Sequence, residues 1–159
     1  AILSSVACKT KYSVILEGGT SLNSIQPISK GGSPTPVTAR IYQLKDANNF
    51  TTKPFDQIWG NAAESLKTDL VDAGGQPTER TVLPMIEGQA EEYTPQTADY
   101  IKEQGLNPLT QYFGVAALFK PAAEATEEQK SKWKRVVHID EIKKMIFELN
   151  HFELTVKEK

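Results

Sequence analysis

Two histidines, one cysteine and a few adjacent carboxylates are the residues with which this chain could do chemistry. His138 and His151 each fall in or beside a strand-like stretch, and neither has a cysteine or a second histidine at ligand spacing. Both are therefore expected to be structural or surface residues. Cys8 stands beside Lys9, but a thiol nucleophile also needs a base, and the sequence offers none. Glu91-Glu92 and Glu127-Glu128 are carboxylate pairs, yet adjacent residues on a strand point to opposite faces, so they read as solvated surface. Gly18-Gly19, Gly31-Gly32 and Gly74-Gly75 lack the lysine and the strand–turn–helix setting of a phosphate cradle. Trp59 shares helical spacing with Phe55 and reads as core. Trp133, next to Lys134 and Arg135, could stack a cation, but packing is its expected role. Asn49-Phe50-Thr51 matches a glycosylation sequon, which has meaning only in a eukaryotic secretory setting. No catalytic residue, metal or cofactor is expected, and the census favours a binding or assembly protein over an enzyme.

The bulk properties point the same way. The chain has 159 residues, 39% hydrophobic and 24% charged, which suits one soluble domain with a sizeable core. A net charge of −2 with a pI near 5.8 leaves no electrostatic footprint for nucleic acid or an anionic surface. No apolar run approaches the roughly 20 residues that span a bilayer. A single cysteine excludes an intramolecular disulfide. AILSSVAC at the start has the look of a signal-peptide tail ending at a lipidation site, Cys8, although Ser5 stands where a leucine is usual. Two readings of Cys8 stay open: a lipid anchor, or a small apolar residue in a first strand.

The elements that would position any site are short. Residues 12–17 alternate as a strand, which Gly18-Gly19 is expected to end. Residues 20–36, rich in Ser, Gly, Pro and Asn, form a long loop, of a length usually functional or disordered. Leu22, Ile25 and Ile28 lie in it, either to pin the loop to the body or to meet a partner. Val37, Ala39 and Ile41 alternate with Thr38, Arg40 and Tyr42 as a second strand. A helical insertion spans 47–73, with Thr52 as an N-cap before Pro54 and Asn61 to Glu64 as a capping box, which predicts two short helices closed by Ala73-Gly74-Gly75.

Further strands are expected at 78–83, weakly at 90–94, at 112–119, 133–139 and 145–150, and in the alternation of Phe152, Leu154 and Val156. Residues 97–104 suit a helical turn or two, and the capping box at 126–129 opens a short charged helix. Both faces of 112–119 are apolar, so that strand should be central. Seven or eight short strands with one helical insertion after the second predict a mainly β protein, an antiparallel β-sandwich forming a single domain over 1–159.

One stretch is specific. Gly32, Pro34, Pro36, Val37, then Arg40-Ile41-Tyr42-Gln43-Leu44, Phe50, Phe55, Ile58 and Trp59 resemble the hallmark segment of the TssJ family, the outer-membrane lipoproteins of bacterial type VI secretion systems. Residues 112–120, YFGVAALFK, resemble that family's Tyr-x-Gly-Val-x-Ala-x-Phe strand, and Trp133 with Arg135 its Trp-Arg strand. Three departures accompany the match: Lys134 separates Trp133 from Arg135, 94–110 is longer than usual, and Met85-Ile86-Glu87-Gly88 replaces a Pro-Gly turn.

The resemblance implies a transthyretin-like sandwich and a non-enzymatic role. It implies a lipoprotein held at the periplasmic face of the outer membrane that binds the periplasmic domain of the inner-membrane component TssM and tethers the trans-envelope complex. The segment 1–10 would then lie near the lipid tether, with the acylated cysteine at Cys8 or upstream of Ala1. The loop between the first two strands would carry the contact, through Leu22, Asn23, Ser24, Ile25, Gln26, Pro27 and Ile28. The competing expectation, from the same fold, is a periplasmic small-ligand carrier with a deep apolar pocket between the sheets.

Overall fold

The computed structural model describes residues 13–71, 77–87, 100, 106–121, 126–140 and 144–158. Among these, seven strands form two sheets. A three-stranded sheet has the order β1 (Ser13–Leu22), β6 (Lys144–His151), β7 (Glu153–Glu158). A four-stranded sheet has the order β3 (Thr78–Val82), β2 (Val37–Leu44), β4 (Tyr112–Ala117), β5 (Lys134–His138). Every pair is antiparallel except β1 with β6, which runs parallel from Ser13↔Lys144 to Gly18↔Leu149. A parallel pair requires a long crossover, and here the whole four-stranded sheet lies between the two strands in sequence.

The two sheets pack face to face on Val14, Leu16, Leu22, Val37, Ala39, Ile41, Phe113, Val115, Met145, Phe147, Leu149 and Leu154. The odd-numbered residues of β2 from Val37 to Ile41 point into this core, while Tyr42 and Leu44 point the other way. That outer face is covered by the insertion: α1 (Asn48–Thr52), α2 (Phe55–Gly60), α3 (Ala62–Leu66) and a 3-10 turn at Lys67–Asp69. Phe50, Ile58, Leu66 and Leu70 bury Tyr42, Leu44, Ala116 and Trp133 in a second core. The molecule is thus three layers deep, and β4 is apolar on both faces because both are covered.

Several local expectations change. Gly18-Gly19 does not end β1, which continues to Leu22, so the loop starts at residue 23 rather than 20. Gly18 is there for close approach: a Cβ on it would stand 2.1 Å from the Leu83 carbonyl oxygen. Beyond Gly18 the β1–β6 register shifts, with Leu22 opposite His151, and the Asn150 Oδ1 accepts the Ser21 N–H at 2.9 Å.

The insertion holds three short helices rather than two. Thr52 closes α1 instead of capping a helix, its hydroxyl donating to the Asn48 carbonyl, and Pro54 occupies the N-cap position of α2. Asn61 does cap α3, its Oδ1 accepting from the Glu64 N–H at 3.3 Å. Lone helices of five or six residues are not stable, so tertiary contacts hold these. Asp69 accepts from the Asn49 N–H at one end of α1. At the other end the Lys134 ammonium donates to the carbonyls of Phe50, Thr51 and Lys53 at 2.7–2.9 Å. The Arg40 guanidinium stacks on Trp59, 4.1 Å from the ring centre, and donates to the Trp59 carbonyl and to Glu79.

Edge strands are bridged at both sides of the sandwich. Met85 N–H donates to the Gly19 carbonyl beside β1 and β3, and Leu154 N–H donates to the Lys132 carbonyl beside β5 and β7. Cys8, Tyr12, the closure at 73–75, the weak strand at 90–94 and the turn at 97–104 lie outside the described residues, Tyr100 excepted.

Candidate functional site

The loop of residues 23–36 joins β1 to β2 and is built as a rigid arch rather than a slack connection. Its first turn forms at Asn23, whose left-handed φ of 55° suits asparagine, and whose N–H donates to the His151 carbonyl. The Asn23 side chain fastens both neighbours: Nδ2 donates to Thr35 Oγ1 across the base of the arch, and Oδ1 accepts the Lys120 N–H. Ser24 is the internal hub. Its hydroxyl donates to the Gln26 carbonyl and accepts the Ser33 N–H, and its own carbonyl meets His151 Nδ1 at 3.1 Å. A carbonyl only accepts, so that ring nitrogen carries the proton.

The crown is a 3-10 turn at Ile28–Lys30, closed by Gly31 in the left-handed region. Lys30 and Gly32 both donate to the Pro27 carbonyl. Gly32 has no room for a side chain, since a Cβ would fall 1.6 Å from the Gln26 carbonyl oxygen. A further tie comes from outside the loop: Glu87 accepts from the Ser29 N–H at 3.0 Å and from its hydroxyl at 2.7 Å.

The seven residues expected to make the contact divide by burial. Leu22 is fully buried in the core between the sheets, at the end of β1, and is corrected to a packing residue. Ser24 is buried and spends its hydroxyl inside the arch, so it too is a structural residue. Asn23 and Pro27 are half-buried and hold the backbone, while Gln26 is exposed. Ile25 and Ile28 project outward, 68% and 73% exposed. Leu22 thus pins the start of the loop to the body of the protein, while Ile25 and Ile28 are left uncovered. Ser29, Thr35, His151 and Glu87 complete the arch through contacts 12 to 127 residues apart, which local pattern does not encode.

The other candidate chemistry disperses. His138 Nδ1 accepts the Asp140 N–H, and its ring meets Tyr112 edge-on. Among the described residues no group of three His, Cys, Asp or Glu could hold a metal ion. A cleft of about 100 Å³ lies by the helical layer, lined by Phe55, Phe119, Pro121, Lys130 and Trp133. Ala117 also lines it, and it is well below the roughly 300–1,000 Å³ of sites that enclose a drug-sized ligand.

The comparisons with known proteins agree with this architecture. A family model described as T6SS-SciN, type VI secretion lipoprotein, VasD, EvfM, TssJ, matches residues 10–159. The chain therefore belongs to the type VI secretion lipoprotein family, a structural component of the secretion machinery and not an enzyme. In fold it is similar to the T6SS lipoprotein TssJ1 of Pseudomonas aeruginosa, at 18% identity and a TM-score of 0.64, covering 94% of this chain and 96% of that one. It is also similar to Lip of Serratia marcescens, a membrane-bound component of the type VI secretion system, at 16% identity and a TM-score of 0.65 over 94% and 97%. A chain in the structure of the TssM C-terminal domain from EAEC matches at 19% identity and a TM-score of 0.61 over 92% and 100%. No curated protein matches at the level of sequence.

Proposed function

We propose that this lipoprotein is held at the periplasmic face of the outer membrane and binds the periplasmic region of the inner-membrane component TssM, tethering the trans-envelope complex. The observation that carries this reading is the arch of residues 23–36. Ile25 and Ile28 are presented to solvent from a loop whose backbone is internally hydrogen-bonded. Covering these two side chains removes apolar surface from water, and a preformed loop loses little conformational freedom when a partner does so. Family membership supports the secretion setting. The membrane attachment would come from an acylated cysteine, Cys8 or one upstream of Ala1. One acyl chain anchors only marginally, so simultaneous engagement of a fixed partner would raise the effective affinity of both contacts.

The test is a calorimetric titration of the chain with the periplasmic region of TssM. Wild type is expected to bind. Ile25→Asp with Ile28→Asp is expected to lower affinity by at least about tenfold, because each places a carboxylate in a desolvated contact. Unchanged affinity in the double variant, with an unchanged Tm, rejects the loop as the contact.

A further inference from the structure

Among the described residues six large apolar side chains are exposed: Ile25, Ile28, Leu83, Ile86, Leu109 and Leu118. The strand register places five of these six at one end of the sandwich. Val37 at the start of β2 is paired with Val82, so Leu83 leaves β3 beside the foot of the arch. Ala39 is paired with Ala117, and Leu118 N–H donates to the Thr38 carbonyl, so Leu118 leaves β4 at the same end. Ile86 follows Met85, which is bonded to β1 at Gly19, and precedes Glu87, which is bonded to the arch at Ser29. Leu109 lies at the opposite end, close in sequence to Tyr112, the strand partner of Leu44.

We propose that the interaction surface is composite: Leu83, Ile86 and Leu118 extend the apolar crown of the arch, and Glu87 is a positioning residue that locks the crown onto this platform. This rests on the reading that the arch binds the secretion partner. The occupant is a protein surface with an apolar centre and an acidic rim, since exposed Lys30 and Lys120 stand at this end while the Glu87 carboxylate is turned onto Ser29. A second copy of the chain fits poorly, because an isologous contact at this end would bring two copies of the same lysine-bearing rim together. Glu87 acts through geometry. Its two bonds hold the Ile28–Lys30 turn against the segment carrying Ile86, so Ile28 and Ile86 reach a partner as one surface.

The test uses the full chain and the periplasmic region of TssM in calorimetry, with Ile25→Asp, Ile86→Asp, Ile86→Ala, Glu87→Ala and Glu87→Gln compared singly. Ile86→Asp is expected to weaken binding at least about tenfold and Ile86→Ala severalfold, with Tm unchanged, because Ile86 is 66% exposed. Glu87→Ala is expected to weaken binding about tenfold and to speed amide exchange at Ser29 and Lys30 without lowering Tm. Glu87→Gln, which keeps a carbonyl oxygen for the Ser29 N–H, is expected to recover most of the affinity. Loss with Ile25→Asp but full-strength binding with Ile86→Asp and Glu87→Ala overturns the composite surface and leaves the arch as the contact. Full-strength binding by all five variants overturns the arch reading as well. Self-association in sedimentation velocity, or co-sedimentation with phosphatidylethanolamine–phosphatidylglycerol vesicles, overturns the choice of a protein partner of another kind if Ile86→Asp abolishes it.

Discussion

Tyr42 and Lys134 are two residues whose burial has consequences that can be measured. The Tyr42 hydroxyl is enclosed by the second core with no partner in good hydrogen-bond geometry, and the Arg40 guanidinium lies close beside it. Burial raises the phenol's pKa above 10.0, with the Arg40 charge opposing it and Glu79 adding to it. The folded state therefore keeps this proton where the unfolded chain releases it. The associated stability is complete below pH 10.0 and is lost as the pH rises through the folded value. Tyr42→Phe removes an unpartnered polar atom, so denaturant unfolding at neutral pH should show stability unchanged or raised by about 1 kcal/mol. The same variant should lose less stability above pH 10.0 than wild type.

Lys134 is the opposite case. Its pKa is lowered by burial, yet its ammonium satisfies three carbonyls at the end of α1. Lys134→Met should cost about 1–3 kcal/mol in urea unfolding, because those carbonyls lose their donor. The residue that separates Trp133 from Arg135 is a helix C-cap delivered from a strand.

At the scale of elements, two glycines decide whether a strand and a loop can exist. Gly18 lets the segment after β3 press against β1, and Gly18→Ala drives a methyl into the Leu83 carbonyl. The expected cost is about 1–3 kcal/mol, seen as a fall of several degrees in Tm. Gly32→Ala strikes the Gln26 carbonyl inside the arch, where neither residue belongs to either core. It should leave the far-UV circular dichroism of the sheets unchanged while weakening partner binding in the same calorimetric titration. Equal Tm losses in the two variants, with binding retained in Gly32→Ala, would show that the arch's conformation is irrelevant to recognition. His151, Thr35 and Asn23 belong to the same element in space although they come from different parts of the chain.

For the whole molecule, the layers are coupled rather than stacked loosely. Arg40 from β2 and Lys134 from β5 reach out of the four-stranded sheet to hold the helical layer by its backbone carbonyls. Trp59 and Trp133 both pack in that outer core, Trp133 edge-on to Phe55 and Phe55 stacked on Trp59. Tryptophan fluorescence should therefore follow the same denaturation midpoint as the circular dichroism of the sheets. An earlier fluorescence transition would mean that the insertion melts as a separate unit.

Much of this architecture was legible in one dimension. Alternation in residues 37–44, 112–117 and 144–158 encodes strands because side chains on a strand alternate faces, and two apolar faces on β4 encode a covered sheet. The 32–59 segment carries the family because its residues are tied to particular neighbours. Arg40 stacks on Trp59, Tyr42 packs under Phe50, and Gln43 bonds Tyr100 and Thr110. The sequence by itself thus determined the class of fold, most of its strands and the family. Only the tertiary structure decided that β1 runs past its glycines and pairs parallel with β6, because the reason lies in Leu83 and Asn150, far along the chain. It alone separated buried Leu22 and Ser24 from exposed Ile25 and Ile28, since burial depends on what packs above a residue and not on its type.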